Sequence, residues 1–347
     1  MKEGKDMKKL MALALALVMV LSLAACGQKE NPDANQPQVG EESTPEKIAF
    51  ALSTCAAADT PLDAGCQKWA ELLNQTGLFD VTVYNNSQLG NVVDVLDRLI
   101  DGDVIAEAVS ASDIADPLNI PDLKATMAPF LFDSIDDINT LTQSDWFAAL
   151  ADQAASQGVK IVAANLINGE RYFITKKPVA EPADMKGMKI RVPNNTNYIN
   201  TFTAFGCAPT PMAATEIYTS LQTSVVDGLE HPLPDCLANG YYEIAKYISN
   251  QDYLKEMNMF AVSKTLWDQC TEEQQKALVD CAYQATAYEQ EYYLSAKETA
   301  INALKDAGVE FYDIDVEAYR QAAEEYWNIS TEFTPGLRDT LYGILSK

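Results

Sequence analysis

Hydrophobic and polar positions change period several times along this chain, and those changes outline its elements. Residues 47–52 read as a strand, followed by a helix with Cys66, Trp69, Ala70 and Leu73 on one face and Gly77 as its stop. Alternation returns at 79–84, a helix carrying Val92, Leu96 and Leu99 closes at Gly102, and 104–109 is apolar enough for a buried parallel strand. This βαβαβ order predicts a doubly wound sheet, whose ligand sites lie beyond the strand C-termini. Ser53, Thr54 and Ser110 fall in such loops and are candidate polar contacts, though each also fits an ordinary turn or capping role.

Further on, 160–165 and 171–175 read as two strands, and 189–192 is a short one halted by Pro193. A helix over 197–205 ends at Gly206, and two prolines force 208–211 to be extended. Residues 215–225 predict a helix with Ile217, Leu221 and Val225 inward, and 226–230 predicts a strand crossing back. Thr271 to Gln274 form a capping box, and no Pro or Gly follows until Gly308. The resulting helix of about 36 residues would be about 54 Å long, so it either spans two lobes or breaks. A strand at 309–312, a helix at 316–329 and a Pro335-led helix complete the pattern.

Length and composition sharpen this outline. A chain of 347 residues is long for one hydrophobic core, so two lobes are expected. Lys8 and Lys9 precede an apolar run over 10–25, shorter than the roughly 20 residues of a membrane span. That run ends in Leu23-Ala24-Ala25-Cys26, which resembles a bacterial lipobox, so 1–26 is expected to be a signal peptide with Cys26 as the lipidated residue. Residues 27–46, with Pro32, Pro37 and Pro45, read as a flexible linker. Six cysteines remain; Cys55–Cys66 and Cys207–Cys236 are open as disulfide pairs, and no spacing suggests a metal or other cofactor. Fifty acids against 25 bases exclude a general affinity for nucleic acid, and a small anion would need local positive charge.

That charge is at hand between 170 and 232, where Arg171, Arg191 and the only histidine, His231, lie. A guanidinium fork pairs bidentately with a planar carboxylate, so the block reads as a carboxylate pocket. Cys236, five residues after His231, raises a Cys–His hydrolase as an alternative, but no GxSxG elbow or Gly-rich phosphate loop accompanies it.

The run from Asp184 to Pro193 (DMKGMKIRVP), followed by Pro209-Thr210-Pro211-Met212 and by Val226-Asp227-Gly228-Leu229-Glu230-His231-Pro232, resembles the DctP-like family. These are the extracytoplasmic solute-binding subunits of tripartite ATP-independent periplasmic (TRAP) transporters. Asn86 to Gly90 and Pro129 to Phe132 match family turns. The resemblance implies an α/β fold, a two-lobed periplasmic-binding-protein-like clamp with hinge strands and a long helix bracing both lobes. It divides the chain into 47–168 with about 257–290, and 169–256 with about 291–347. It implies no enzyme, no cofactor, and a monomer that binds an organic acid and docks on transporter membrane subunits while lipid-anchored outside the cell. A ligand-sensing role in a signalling system is the alternative. Arg191 matches the family arginine that holds the ligand carboxylate, and Arg171 the second cleft arginine. His231 stands where many members have Asn, and Ala214 where sialic-acid binders place an aromatic ring.

Overall fold

The computed structural model describes residues 46–347. The signal segment, Cys26 and the linker up to residue 45 lie outside the described residues. Strands β1 (Ile48–Ser53), β2 (Phe79–Tyr84) and β3 (Ile105–Ser110) pair in parallel around β1. Helices α1 (Pro61–Gln75) and α2 (Val92–Ile100) connect them, as the periodicity predicts. Pro at the first turn starts α1, and Asn91 caps α2 by accepting from the Val93 and Asp94 amides. Three further helices that the pattern does not foretell, α3 (Ala111–Ala115), α4 (Ile135–Thr142) and α5 (Asp145–Ser156), lead to β4.

Strand β4 (Val159–Thr175) is the axis of the molecule. The sequence predicts two strands here; the chain forms one of 17 residues, with register shifts between Ile161 and Gly169 where polar residues interrupt the apolar pattern. Its first part pairs with an antiparallel strand over Leu254–Ser263, and its last part pairs with a second set of strands. That set includes β5 (Lys189–Val192), β6 (Ala208–Pro211), β7 (Gly228–His231) and β8 (Tyr247–Ser249). With Leu254–Ser263 as β9 and Glu310–Tyr312 as β10, the order is β2-β1-β3-β9-β4-β7-β5-β6, and β8 joins β4 to β10. The molecule is thus a two-lobed α/β fold whose lobes share β4. A βαβαβ pattern alone does not reveal β9, which inserts antiparallel beside β3.

In the second lobe, α6 (Thr196–Ala204) follows β5, and the helix expected over 215–225 shortens to α7 (Ile217–Gln222). Val225, predicted to point inward, is 48 % exposed, because the helix ends before reaching it. Two short helices, α8 (Leu233–Ala238) and α9 (Lys264–Gln269), flank the long one. Helix α10 (Glu272–Asp306) runs unbroken for 35 residues, about 52 Å, with the Thr271 capping box at its start. It packs against α1, β4 and α8, and so braces both lobes. Trp69 of α1 donates to the Leu278 carbonyl at 3.1 Å and stacks on Phe260, which ties this brace to the first lobe. Helix α11 (Val316–Ile329) packs on α6, and α12 (Leu337–Ile344) packs near α4. All six described cysteines are free thiols, so neither disulfide left open by the sequence forms here.

Candidate ligand-binding site

Where β4 passes between the lobes, Gly169 has a φ of 139°. A Cβ at this position would lie 2.9 Å from Pro232 and 3.1 Å from Tyr293, so only glycine fits. Two residues later Arg171 points into a buried cluster. Its Nε and Nη1 pair with Glu230 and Glu256, and its Nη2 donates to Glu230 Oε1 at 2.8 Å. The Tyr253 hydroxyl also donates to Glu230, at 2.8 Å, and the guanidinium sits 5.1 Å from the centre of the Tyr198 ring. Burial opposes the charge of Arg171, but Glu230 and Glu256 outweigh it and hold its pKa well above the usual value.

Arg191 differs. It lies on β5 beside Leu229 of β7 and Thr210 of β6, and is 3 % exposed. Its Nε and Nη2 donate to the Met212 carbonyl at 3.2 and 2.8 Å. It is the one described arginine without an ion pair. Burial lowers its pKa, an effect that nearby Glu230 opposes. A buried cation that has only a carbonyl as partner retains donors for an anion.

His231 closes β7 opposite Tyr172, with its ring centre 5.5 Å from that of Tyr241. Its buried Nδ1 has no partner among the described residues. Burial pushes its pKa well below the usual histidine range, and Arg171 and Arg191 add to this. These causes favour the neutral imidazole, which can donate from one nitrogen and accept at the other.

A cavity of about 200 Å³ joins these groups. Arg191, Arg171, His231 and Ala214 all line it, as do Asp113, Asp235, Asn168 and Glu256. Ser53, Thr54 and Ser110 are buried but do not line it. Thr54 Oγ1 accepts from the Ala56 amide at 3.2 Å, and Ser110 Oγ caps α3 by accepting from the Asp113 amide at 3.2 Å. Thr54 and Ser110 thus have local partners, and their neighbours Cys55, Ala56 and Asp113 line the cavity. Burial pushes the Cys55 thiol up to about 12, and nearby Asp113 and Glu107 add to it, which disfavours the thiolate. Burial likewise raises the pKa of the Cys236 thiol, which disfavours the thiolate that a Cys–His pair uses.

Sequence reasoning missed the acids. Glu256 lies on the unforeseen β9 and accepts from Asn168 Nδ2 at 2.7 Å. Asp235, in the first turn of α8, follows the crossing strand closely enough to have been found by position. Burial raises its pKa to about 7; Arg171 opposes the shift and Glu256 adds to it. Asp113 accepts from Asn195 Nδ2 at 2.7 Å and from Ser110 Oγ at 2.9 Å, and burial raises its pKa against these two bonds.

Two lobes sharing a crossing strand, with a cavity lined by a buried arginine, define a solute-binding clamp. The chain belongs to the DctP family, the bacterial extracellular solute-binding proteins of family 7, whose model matches residues 52–332. Members of this family are extracytoplasmic binding proteins of TRAP transporters rather than enzymes. The C4-dicarboxylate-binding periplasmic protein DctP of Rhodobacter capsulatus is 30 % identical over 285 residues, covering 81 % of this chain and 84 % of that protein. A TRAP periplasmic solute-binding protein from Actinobacillus succinogenes with bound L-galactonate superposes with a TM-score of 0.82 and is 30 % identical. The likeness covers 86 % of this chain and 99 % of that one. One from Ochrobacterium anthropi with bound L-fuconate has a TM-score of 0.81, 31 % identity and the same coverage of 86 % and 99 %.

Proposed function

We propose that this protein is a lipid-anchored, monomeric extracytoplasmic receptor that captures an organic carboxylate between its lobes and delivers it to the membrane subunits of a TRAP transporter. The observation that carries the reading is Arg191, a buried guanidinium without an acidic partner among the described residues, facing a cavity. Arg171 serves as a positioning residue, because two carboxylates already engage its fork. Ala214 leaves the cavity wall open where a ring would fill it. The sugar acids bound by the two structural relatives support a ligand of this size.

Calorimetry with L-galactonate, L-fuconate and succinate should find at least one tight ligand. Arg191→Ala should weaken it on the order of 100-fold or more, since truncating one side of a desolvated charge pair costs about 2–5 kcal/mol. Binding of neutral sugars only would overturn the reading. Anchoring is tested separately: Cys26→Ser should move the protein from the membrane fraction to the soluble one.

A further inference from the structure

Asp235 stands in the first turn of α8, just past His231, and lines the cavity while only 4 % exposed. Its Oδ2 has no hydrogen-bond partner among the described residues. No described cation pairs with it: Arg171 holds Glu230 and Glu256, and Arg191 donates to the Met212 carbonyl. Asp113, the other aspartate on the cavity wall, differs, because Asn195 Nδ2 and Ser110 Oγ both donate to it. Those bonds favour the ionised form of Asp113. Asp235 lacks such support, so a proton is the counter-charge open to it.

The groups that share this space come from several elements. Arg171 faces it from β4, Arg191 from β5, His231 from β7, Glu256 from β9 and Asp113 from α3, with Cys55 and Tyr241 beside them. On α10, which packs against α8, Lys297 pairs with Glu170 and Glu289 accepts from the Ile167 amide. Burial raises the pKa of Cys55, Cys236 and Tyr241 and lowers that of His231, so all four favour their neutral forms near pH 7. Asp235, raised by burial to about 7, titrates in that range. A ligand carboxylate on Arg191 brings a further negative charge into the enclosure. An ionised Asp235 repels it, whereas the neutral acid offers it an O–H donor. We infer that Asp235 contacts the ligand as its neutral acid and donates to a ligand oxygen, so that each capture takes up a proton from solvent and each release returns it. This deepens the carboxylate reading above and rests on it. The complex keeps the proton to higher pH than the empty site does, so affinity is greatest below about pH 7 and falls as pH rises.

The test is calorimetry with L-galactonate, L-fuconate and succinate in two buffers of very different ionisation enthalpy, PIPES and Tris, which counts the protons taken up on binding. Wild-type protein should take up about half a proton per ligand at pH 7 and closer to one at pH 8. Its affinity should fall on the order of 10-fold or more between pH 6 and pH 9, a range in which the ligand's own carboxyl stays ionised. Asp235→Asn, whose amide donates without titrating, should abolish the uptake and flatten the pH profile. Asp113→Asn should keep the uptake, and it decides the assignment if the first variant does not fold. A wild-type count of zero, an uptake that survives Asp235→Asn or one that vanishes with Asp113→Asn would overturn this inference and leave the carboxylate reading standing. If none of the three acids binds at any pH, both fall.

Discussion

Arg171 and Arg191 are the same residue type at the same depth, yet their surroundings give them opposite thermodynamic characters. Removing Arg171 strands Glu230 and Glu256 as buried charges, so Arg171→Ala should cost about 3–5 kcal/mol of stability. Removing Arg191 strands only the Met212 carbonyl and relieves a desolvated cation, so Arg191→Ala should leave the ligand-free protein nearly as stable or more so. Urea unfolding without ligand separates the two, and a larger loss for Arg191→Ala than for Arg171→Ala would contradict the assignment. The sequence made both arginines visible as candidates because of the punctuated block around them. It could not show which fork was free, since Glu256 arrives from 85 positions away on a strand with no clear pattern. The serines and Thr54 are ambiguous for a related reason: a hydroxyl at a strand end serves equally well as a cap, and local capping needs no ligand.

Among the elements, those with strong local signals were legible. The long helix was read to within a residue because its capping box and its freedom from Gly and Pro are properties of the segment itself. Strands β4 and β9 were not, because they carry the site. Glu256 and Asn258 sit in a strand otherwise buried, and Asn165, Asn168 and Gly169 break the apolar run of β4. Polar residues at depth hide a strand from periodicity. Gly169→Ala tests the importance of the crossing: the clash with Pro232 and Tyr293 and the φ of 139° should cost about 1–3 kcal/mol and weaken ligand binding with it. A melting temperature and an affinity both unchanged would show that β4 crosses without that constraint. Glu289, mid-helix and fully buried, accepts from the Ile167 amide at 3.0 Å, but its other oxygen has no partner among the described residues. Burial holds its pKa well above the ordinary 4.5, against that one bond. The folded state therefore keeps a proton that the unfolded state releases above about 4.5, and stability from this group falls as pH rises. Glu289→Gln should flatten the decline in melting temperature between about pH 5 and 8, and a parallel, merely shifted curve would exclude this origin.

At the scale of the whole molecule, the chain carries a formal charge of −25, and the anion proposed as its ligand would enter a cavity whose own acids outnumber its arginines. Approach and capture are therefore governed by different fields. Over tens of ångströms the ligand meets repulsion from the net charge, which salt screens, because the Debye length falls from about 30 Å at 0.01 M to about 10 Å at 0.1 M. Within the cavity the Arg191 pair forms behind low-dielectric walls and is screened far less. Stopped-flow binding of a carboxylate ligand should then show an association rate that rises several-fold between about 10 and 150 mM NaCl, with a smaller change in dissociation. This is the reverse of the salt dependence expected for a receptor that draws its anion in through a basic funnel. An association rate that falls with salt would mean that the field of Arg191 reaches the cavity mouth and overrides the net charge.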